Sequence, residues 1–193
     1  MRAGGGPRED LFFRWAAARE SAGQEDAGMA SGPEEIARAV RTLRGGGVVA
    51  FPTETVYGLG ASALDESAVA RVFALKGRPS NNPLIVHVTG AEMARRVVSS
   101  WSPDAEALAR AFWPGPLSLV LARGPVLPAL VTGGAPGVAV RCPDHPLTLA
   151  LISAFNGPVV GPSANLSGRV SPTTAAHVRE SFPAGAADVL DGG

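Results

Sequence analysis

A basic loop carries the residues whose types and spacing point most directly to chemistry. Lys76 and Arg78 stand in the segment KGRPSNNP at residues 76–83, and Ser80 follows them. Two neighbouring cations, with hydroxyl and amide side chains beside them, can neutralise a polyphosphate. A solvated charged loop is the alternative. Lys76 is, however, the one lysine among the 17 basic residues of the chain, and its occurrence here favours a specific role.

Two further polar side chains come at the ends of apolar runs. Arg141 ends the run at residues 138–141, and His87 stands near the end of residues 84–88. An arginine is costly to desolvate unless it meets an anion, and either the carboxylate of a small substrate or an internal aspartate would serve. For His87, a structural role with satisfied hydrogen bonds is as good an interpretation as a role in binding.

Two glycine-containing segments follow other apolar stretches. FPTETVYGLG at residues 51–60 places Thr53 and a glutamate after a proline, and its glycines permit close approach of the backbone. GPSANLSG at residues 161–168 contains Ser163 and Asn165, whose side chains can hydrogen-bond phosphate or ribose oxygens. An ordinary polar turn is an equally good interpretation of the first segment.

Familiar motifs for nucleotides, hydrolysis and metals are missing from the sequence. The sequence lacks the P-loop motif G-x-x-x-x-G-K-[ST], so any ATP that binds is not held by a P-loop. Ser163 stands in G-x-S-x-N, so the nucleophile elbow of hydrolases is incomplete. With one cysteine, three histidines and neither C-x-x-C nor H-E-x-x-H, the sequence predicts no metal site and no internal disulfide.

The composition is that of a globular protein, and 193 residues suffice for one domain with a sizeable core. Apolar residues make up 46%, charged residues 18%, and the formal net charge is zero. That balance argues against a protein that coats nucleic acid through charge alone, although a local basic groove stays possible. No stretch approaches the roughly 20 apolar residues of a membrane span, and no signal peptide is evident, so we expect a cytoplasmic protein without membrane contact.

The chain divides into a polar start and a patterned remainder. Residues 1–30 are rich in glycine and small polar residues and are expected to be mostly disordered, with a short helix at residues 11–19. Met29 is expected to be the natural start, and a regulatory tail is the alternative. Residues 31–193 are expected to form one folded domain.

Helical and strand patterns alternate from Ser31 onward, which predicts an α/β sheet with functional loops. A capping box at Ser31–Glu34 opens the first helix, and Asp65, Thr89 and Ser102 are expected to cap later ones. The predicted helices cover residues 31–44, 65–76, a short segment after 89, 102–112, 146–155 and 172–182. The predicted strands cover residues 48–51, 84–88, 117–122, 138–141, 159–161 and 188–190.

Five segments, taken in order, closely resemble the threonylcarbamoyl-AMP synthase family, the YrdC/TsaC-like proteins. They are FPTETVYGLGASA at 51–63, KGRPSNNPLIVHV at 76–88, WPGPLSLVL at 113–121, VAVRCPDHP at 138–146 and GPSANLSG at 161–168. The resemblance implies a twisted, mostly open mixed sheet with flanking helices and a concave basic cavity. It also implies a nucleotidyltransferase. L-threonine takes up bicarbonate or CO2, and the carbamate attacks the α-phosphorus of ATP, which is bound with Mg2+.

The same resemblance implies roles for individual residues. Lys76 and Arg78 are expected to act on the triphosphate as the catalytic pair. Threonine would be bound by Thr53, His87, Arg141 and Ser163, and ATP additionally by Ser80, Ser118, Asn165 and Ser171. The product would pass to a tRNA threonylcarbamoyl transferase complex, and weak binding of RNA is possible.

In that family the chain continues past the Asp-Gly-Gly segment, so the resemblance implies that the last strand region, beyond Gly193, is missing here. Three rival functions stay open. One is an RNA-binding module of the same fold without catalysis. The second is carbamoyl-adenylate chemistry in hydrogenase maturation, which we expect only in a much larger protein. The third is a related enzyme with another amine acceptor.

Overall fold

A computed structural model describes residues 32–193 of the chain. The predictions of disorder over residues 1–30, of a helix at residues 11–19, of a start at Met29 and of a cap at Ser31 fall outside the described residues.

Six helices, one 3-10 turn and seven strands alternate along the described residues. The helices are α1 (Pro33–Arg44), α2 (Glu66–Lys76), α3 (Ala91–Ala94), α4 (Pro103–Phe112), α5 (Pro146–Phe155) and α6 (Ala175–Ser181). The strands are β1 (Val49–Phe51), β2 (Gly58–Ser62), β3 (Ile85–His87), β4 (Leu119–Ala122), β5 (Gly137–Arg141), β6 (Val159–Val160) and β7 (Asp188–Val189). The 3-10 turn is Ala129–Thr132.

The strands form one open, mixed sheet in the order β4-β5-β3-β6-β2-β1-β7, with β4 and β7 at its edges. The pairs β3–β5 and β1–β7 are parallel, and the other four neighbouring pairs are antiparallel. The predicted mixed sheet with flanking helices is therefore confirmed. None of the helices in residues 32–193 is long and apolar enough to cross a membrane.

Local capping signals explain where most helices begin. The side chain of Asp65 accepts hydrogen bonds from the amides of Ser67 and Ala68, and Ser102 accepts one from Ala105, as predicted. The predicted cap at Thr89 is wrong, because the cap of α3 is Gly90 and no side chain caps it.

Two further helix starts differ from the predictions by one to three residues. In the capping box of α1, the Glu35 side chain accepts a hydrogen bond from the Gly32 amide at 2.6 Å. The predicted capping box had Glu34 in that place. Helix α6 starts at Ala175 with Thr174 as its cap, whereas Pro172 was the predicted start. The Pro172 carbonyl instead accepts a hydrogen bond from the Tyr57 amide.

The sequence prediction missed strand β2, which was interpreted as part of a loop. Gly60 sits in this strand opposite Val49, under the ring of Phe51. A Cβ at Gly60 would lie 2.4 Å from Phe51 Cε1 and 2.8 Å from Val159 Cγ1. Glycine is therefore used here so that strands and an aromatic ring can pack closely, and its low strand propensity hides the strand from sequence patterns.

Candidate functional site

The basic loop begins with a buried cation at the end of α2. Lys76 is only 2% exposed, and its Nζ donates hydrogen bonds to the backbone carbonyls of Ser163 and Asn165. Burial and, to a smaller extent, the positive charge of Arg78 together lower the pKa of Lys76 to about 8. The ammonium thus ties α2 to the 161–168 loop and keeps one N–H for another acceptor.

Arg78 is the more accessible cation of the pair. Its Nε donates to the Asn82 carbonyl at 3.2 Å and its Nη2 to the Pro83 carbonyl at 3.0 Å, so the loop curls around its own arginine. Neither Lys76 nor Arg78 forms a salt bridge with any carboxylate of residues 32–193. Two neighbouring cations without a carboxylate partner among the described residues create a local positive potential.

The 161–168 loop places backbone and amide groups beside these cations. Ser163 forms an isolated bridge with Gly58 at the start of β2, and the Ser167 amide donates to the Lys76 carbonyl at 2.8 Å. The Nδ2 of Asn165 donates to two carbonyls of its own loop, whereas its buried Oδ1 has no hydrogen-bond partner in the described part of the chain. That oxygen can accept a hydrogen bond from a hydroxyl or amino group of a ligand.

A second charged group lies at the end of β5. The Nε of Arg141 donates to the Gly115 carbonyl at 3.2 Å, and its Nη2 forms a salt bridge with Glu54 Oε1. The other carboxylate oxygen of Glu54 accepts a hydrogen bond from the Asp144 amide at 3.1 Å. The sequence left open whether Arg141 meets a substrate or an internal aspartate, and the structure places an internal glutamate there.

Thr53 shapes the turn that presents Glu54. Its Oγ1 lies 3.2 Å from the amides of Thr55 and Val56, from which it accepts hydrogen bonds, and 2.7 Å from the Val56 carbonyl. The hydroxyl of Thr148 donates a hydrogen bond to the Pro52 carbonyl and so connects the turn to α5. The Thr53 hydroxyl therefore stabilises the turn that contains it, through hydrogen bonds with neighbouring residues of that turn.

His87 is buried beside Arg141, because the two residues are register partners at the ends of parallel strands and project from one face. Its Nε2 lies 3.2 Å from the Gly161 carbonyl, so Nε2 carries the proton and Nδ1 is the acceptor. The Nδ1 atom has no partner within residues 32–193. Burial lowers the pKa of His87 to about 4, so the ring is neutral near pH 7.

The neutral state of His87 predicts a pH-dependent stability. Its pKa falls from 6.5 in the unfolded chain to about 4 in the folded one, so the unfolded chain binds more protons between these values. The free energy of unfolding should therefore fall by roughly 3 kcal/mol as the pH drops from 6.5 to 4. Urea unfolding at pH 7 and pH 4.5 measures this loss, and the His87→Gln variant should lose correspondingly less.

The His177→Gln variant, with the same substitution at an exposed histidine, is the matched control for the change of side chain. An equal loss of stability in the wild type and in His87→Gln would contradict the buried, neutral state of His87.

The three remaining residues that were predicted to bind ATP stand in separate segments of the chain. Ser80 is exposed in the loop after α2, whereas Ser118, just before β4, and Ser171, before α6, are half-buried. No hydrogen bond within residues 32–193 joins the side chains of these three serines to the cations. Their roles stay predictions.

Two cavities in the described region lie away from these residues. One, of about 380 Å3, is bounded by α6, β7 and the segment between them, and the other, of about 420 Å3, by α2, Gly47, Val48 and Ala186. Neither is lined by a predicted site residue. The charged groups and unpaired polar atoms described above therefore lie outside both cavities. The predicted concave basic cavity stays a prediction.

The described side chains offer no cluster of three or more His, Cys, Asp or Glu residues that could hold a metal ion. Magnesium that arrives with a nucleotide would be held by phosphate oxygens, with the cations of the loop beside it. Cys142 is buried, and burial raises the pKa of its thiol to about 12, so it is not a nucleophile at neutral pH.

The sequence prediction missed Glu54 and Gly115 as parts of the site. Gly115 contributes only a carbonyl, and its own amide donates to the Cys142 carbonyl, which no residue-type pattern reveals. Glu54 could have been found, because it is the acidic residue of the segment next to Thr53 and a buried Arg141 requires a carboxylate. The described residues thus form two charged groups, the Arg141–Glu54 pair at the end of β5 and the cations Lys76 and Arg78 beside the 161–168 loop.

Comparisons with known proteins identify related sequences and structures. The Sua5_yciO_yrdC family, whose description reads "Telomere recombination", matches residues 41–193. A protein named threonylcarbamoyl-AMP synthase from Pyrococcus abyssi is 52% identical over 151 residues, covering 78% of this chain and 44% of that protein. One of the same name from Halorhodospira halophila is 41% identical over 150 residues, covering 78% of both.

A solved structure shows the same fold. The crystal structure of P. abyssi Sua5 complexed with L-threonine superposes with a TM-score of 0.80 at 51% identity, covering 82% of this chain and 46% of the other. This chain spans less than half the length of the P. abyssi relative. From the matched residues, the identities and the shared fold, the chain belongs to the Sua5/YciO/YrdC family.

Proposed function

We propose that this chain is an L-threonylcarbamoyladenylate synthase, which forms threonylcarbamoyl-AMP and pyrophosphate from L-threonine, bicarbonate or CO2, and ATP. The observation that carries the proposal is the pair Lys76 and Arg78, two neighbouring cations without a carboxylate partner in residues 32–193. The names of the relatives from P. abyssi and H. halophila support the same reaction.

The triphosphate of ATP fits the cation pair by charge. Arg78 has its Nη1 free of hydrogen bonds to the described residues, and Lys76 keeps one N–H beyond its two carbonyl contacts. Both can donate to phosphate oxygens, and Mg2+ bound to the same phosphates would share the charge. The unpaired Oδ1 of Asn165 would accept a hydrogen bond from a ribose hydroxyl or the adenine amino group. Ser80, Ser118 and Ser171 are further candidates for contacts with ATP.

L-threonine fits the charged pair at the end of β5. Arg141 would pair with the substrate carboxylate, since its guanidinium is held on a strand end and points across the sheet face toward the Thr53 turn. The unpaired Nδ1 of neutral His87 can accept a hydrogen bond from the hydroxyl or amine, and Thr53 and Ser163 are further contacts. The threonine in the P. abyssi Sua5 structure supports this class of ligand.

The chemistry requires positioning rather than a covalent nucleophile. The amine of threonine adds to CO2 and loses a proton, which gives a carbamate that attacks the α-phosphorus, and pyrophosphate leaves. The carbamate is labile in water, so the protein must hold it aligned about 3–3.5 Å from phosphorus. Lys76 and Arg78 would stabilise the negative charge that moves onto the leaving pyrophosphate.

A coupled assay tests the reaction. Incubation with ATP, Mg2+, L-threonine and bicarbonate should yield pyrophosphate and threonylcarbamoyl-AMP, detected by mass spectrometry, only when threonine and bicarbonate are both present. L-serine should be a poorer substrate, because a site shaped for the threonine methyl loses about 1–3 kcal/mol without it. Release of inorganic phosphate without threonine would indicate an ordinary ATPase and would contradict the proposal.

The same proposal covers the transfer of the product, the compartment and the binding of RNA. The product would be transferred by a separate tRNA threonylcarbamoyl transferase complex, in the cytoplasm, and the chain itself would bind RNA weakly. The formal net charge of zero supports weak rather than strong binding.

A further inference from the structure

Arg141 is the fixed partner of the ion pair that it forms with Glu54. It ends strand β5, its side chain is 11% exposed, and its Nε is anchored by the Gly115 carbonyl. Its Nη1 has no hydrogen bond to any of residues 32–193, so that edge of the guanidinium is available to a ligand. Movement of this side chain would leave a buried charge unpaired, which is strongly unfavourable.

Glu54 is the movable partner. It stands on an exposed turn between Thr53 and Thr55, and its side chain is 22% exposed, twice the value of Arg141. A carboxylate that rotates from this turn into water regains its hydration at little cost. Among residues 32–193, its second oxygen is bound by the Asp144 amide, which belongs to an exposed residue and can be hydrated in its place.

The charges of the pair decide how a second carboxylate can bind. While Glu54 pairs with Arg141 the site is locally neutral, and an incoming carboxylate meets the negative charge of Glu54 together with the positive charge of Arg141. The attraction becomes strong only when Glu54 has moved away. In the absence of a ligand, Glu54 removes the cost of an unpaired buried guanidinium.

We infer that Glu54 is an internal counter-ion that occupies Arg141 in the free protein and is displaced by the carboxylate of the substrate. The inference rests on the proposed function, in which that carboxylate belongs to L-threonine. Glu54 is a positioning residue: it sets the affinity for the carboxylate and takes no part in the bonds that form or break.

The Glu54→Gln variant tests the displacement, because the amide keeps the size of the side chain and can still accept from Asp144. Because the competing charge is gone, L-threonine should bind Glu54→Gln about 5- to 30-fold more tightly than it binds the wild type. Calorimetry in the absence of ATP and bicarbonate measures both affinities. In the full reaction, KM for threonine should fall while kcat and KM for ATP stay unchanged. L-threoninamide, which lacks the carboxylate, should gain nothing.

The Glu106→Gln variant is the matched control, because Glu106 also pairs with an arginine, Arg95, but outside the site. It should leave threonine affinity unchanged. Wild-type protein labelled with carboxyl 13C in glutamate gives a readout that needs no variant. The Glu54 carboxyl resonance should shift when threonine or acetate is added, because Glu54 then leaves the guanidinium.

Equal or weaker threonine binding by Glu54→Gln, or a Glu54 resonance that does not move on saturation, would overturn the displacement. Acetate separates this inference from the proposed function. If neither protein binds threonine but acetate binds Glu54→Gln more tightly than the wild type, the amino-acid substrate is wrong and the displacement stands. If acetate shows no such preference either, both fail.

Discussion

Replacing Arg141 with alanine should lower kcat/KM for L-threonine by roughly 100- to 1,000-fold, because a partly buried charge pair with the substrate carboxylate is lost. The effect should fall on threonine and not on ATP, whose proposed cations lie on the loop after α2. Steady-state kinetics with each substrate varied in turn measure both values. Arg141→Lys should recover only a small part, since an ammonium cannot keep the Gly115 contact and also bind a carboxylate with two parallel hydrogen bonds.

The control for this prediction is Arg95→Ala, which removes an arginine that pairs with Glu106 outside the site. That variant should retain wild-type kinetics. The Arg141→Ala protein should remain folded, because the freed Glu54 is partly exposed and can be hydrated. Wild-type threonine kinetics in a folded Arg141→Ala protein would exclude Arg141 from the amino-acid subsite.

Replacing Lys76 with alanine should reduce kcat/KM for ATP by roughly 10- to 150-fold through the loss of a charge-assisted contact with phosphate. The structure adds a second effect, because the carbonyls of Ser163 and Asn165 lose their donor. We expect a loss of about 2 kcal/mol in unfolding free energy, or a Tm lower by about 4–8 °C. Kinetics well below that Tm separate the two effects.

Lys76→Arg is the sharper variant. A planar guanidinium is wider than an ammonium, and the buried space between two backbone carbonyls fits the compact group. The variant should therefore recover little of the ATP kinetics although it keeps the charge. Arg71→Lys, a change of the opposite kind on the same helix, should have little effect on ATP kinetics. Wild-type turnover of ATP by Lys76→Arg would refute a specific need for the ammonium.

Helix boundaries were the most predictable part of the fold, since their signals are local. Asp65 and Ser102 cap the helices that follow them, as their sequence contexts indicated. Strand β2 was not predicted, because glycines rarely indicate a strand. Its glycines are explained by the Phe51 ring, which packs against them when β1 and β2 pair. The order of strands in the sheet depends on contacts between distant segments, and no local pattern encodes it.

The surroundings of the predicted site residues were less predictable than the helices and strands that carry them. Lys76 ends α2, as predicted, but the sequence did not reveal that it is buried and donates to two backbone carbonyls. Arg141 was expected to need an anion, and its internal partner lies 87 positions earlier in the chain. Charge and burial are readable from residue types, but the direction of a long side chain depends on which loops the fold brings near it.

The two contacts made by Lys76 end on main-chain oxygens, whereas the Arg141–Glu54 pair joins two side chains. This difference sets how the positions can diverge during evolution. Residues 163 and 165 can change identity without disturbing the lysine, because every amino acid supplies the same carbonyl. Positions 54 and 141 are coupled more closely, since a change in one alters the charge that the other meets in the free protein. Across homologues, positions 54 and 141 should therefore covary, while position 76 should be independent of the side chains that it touches.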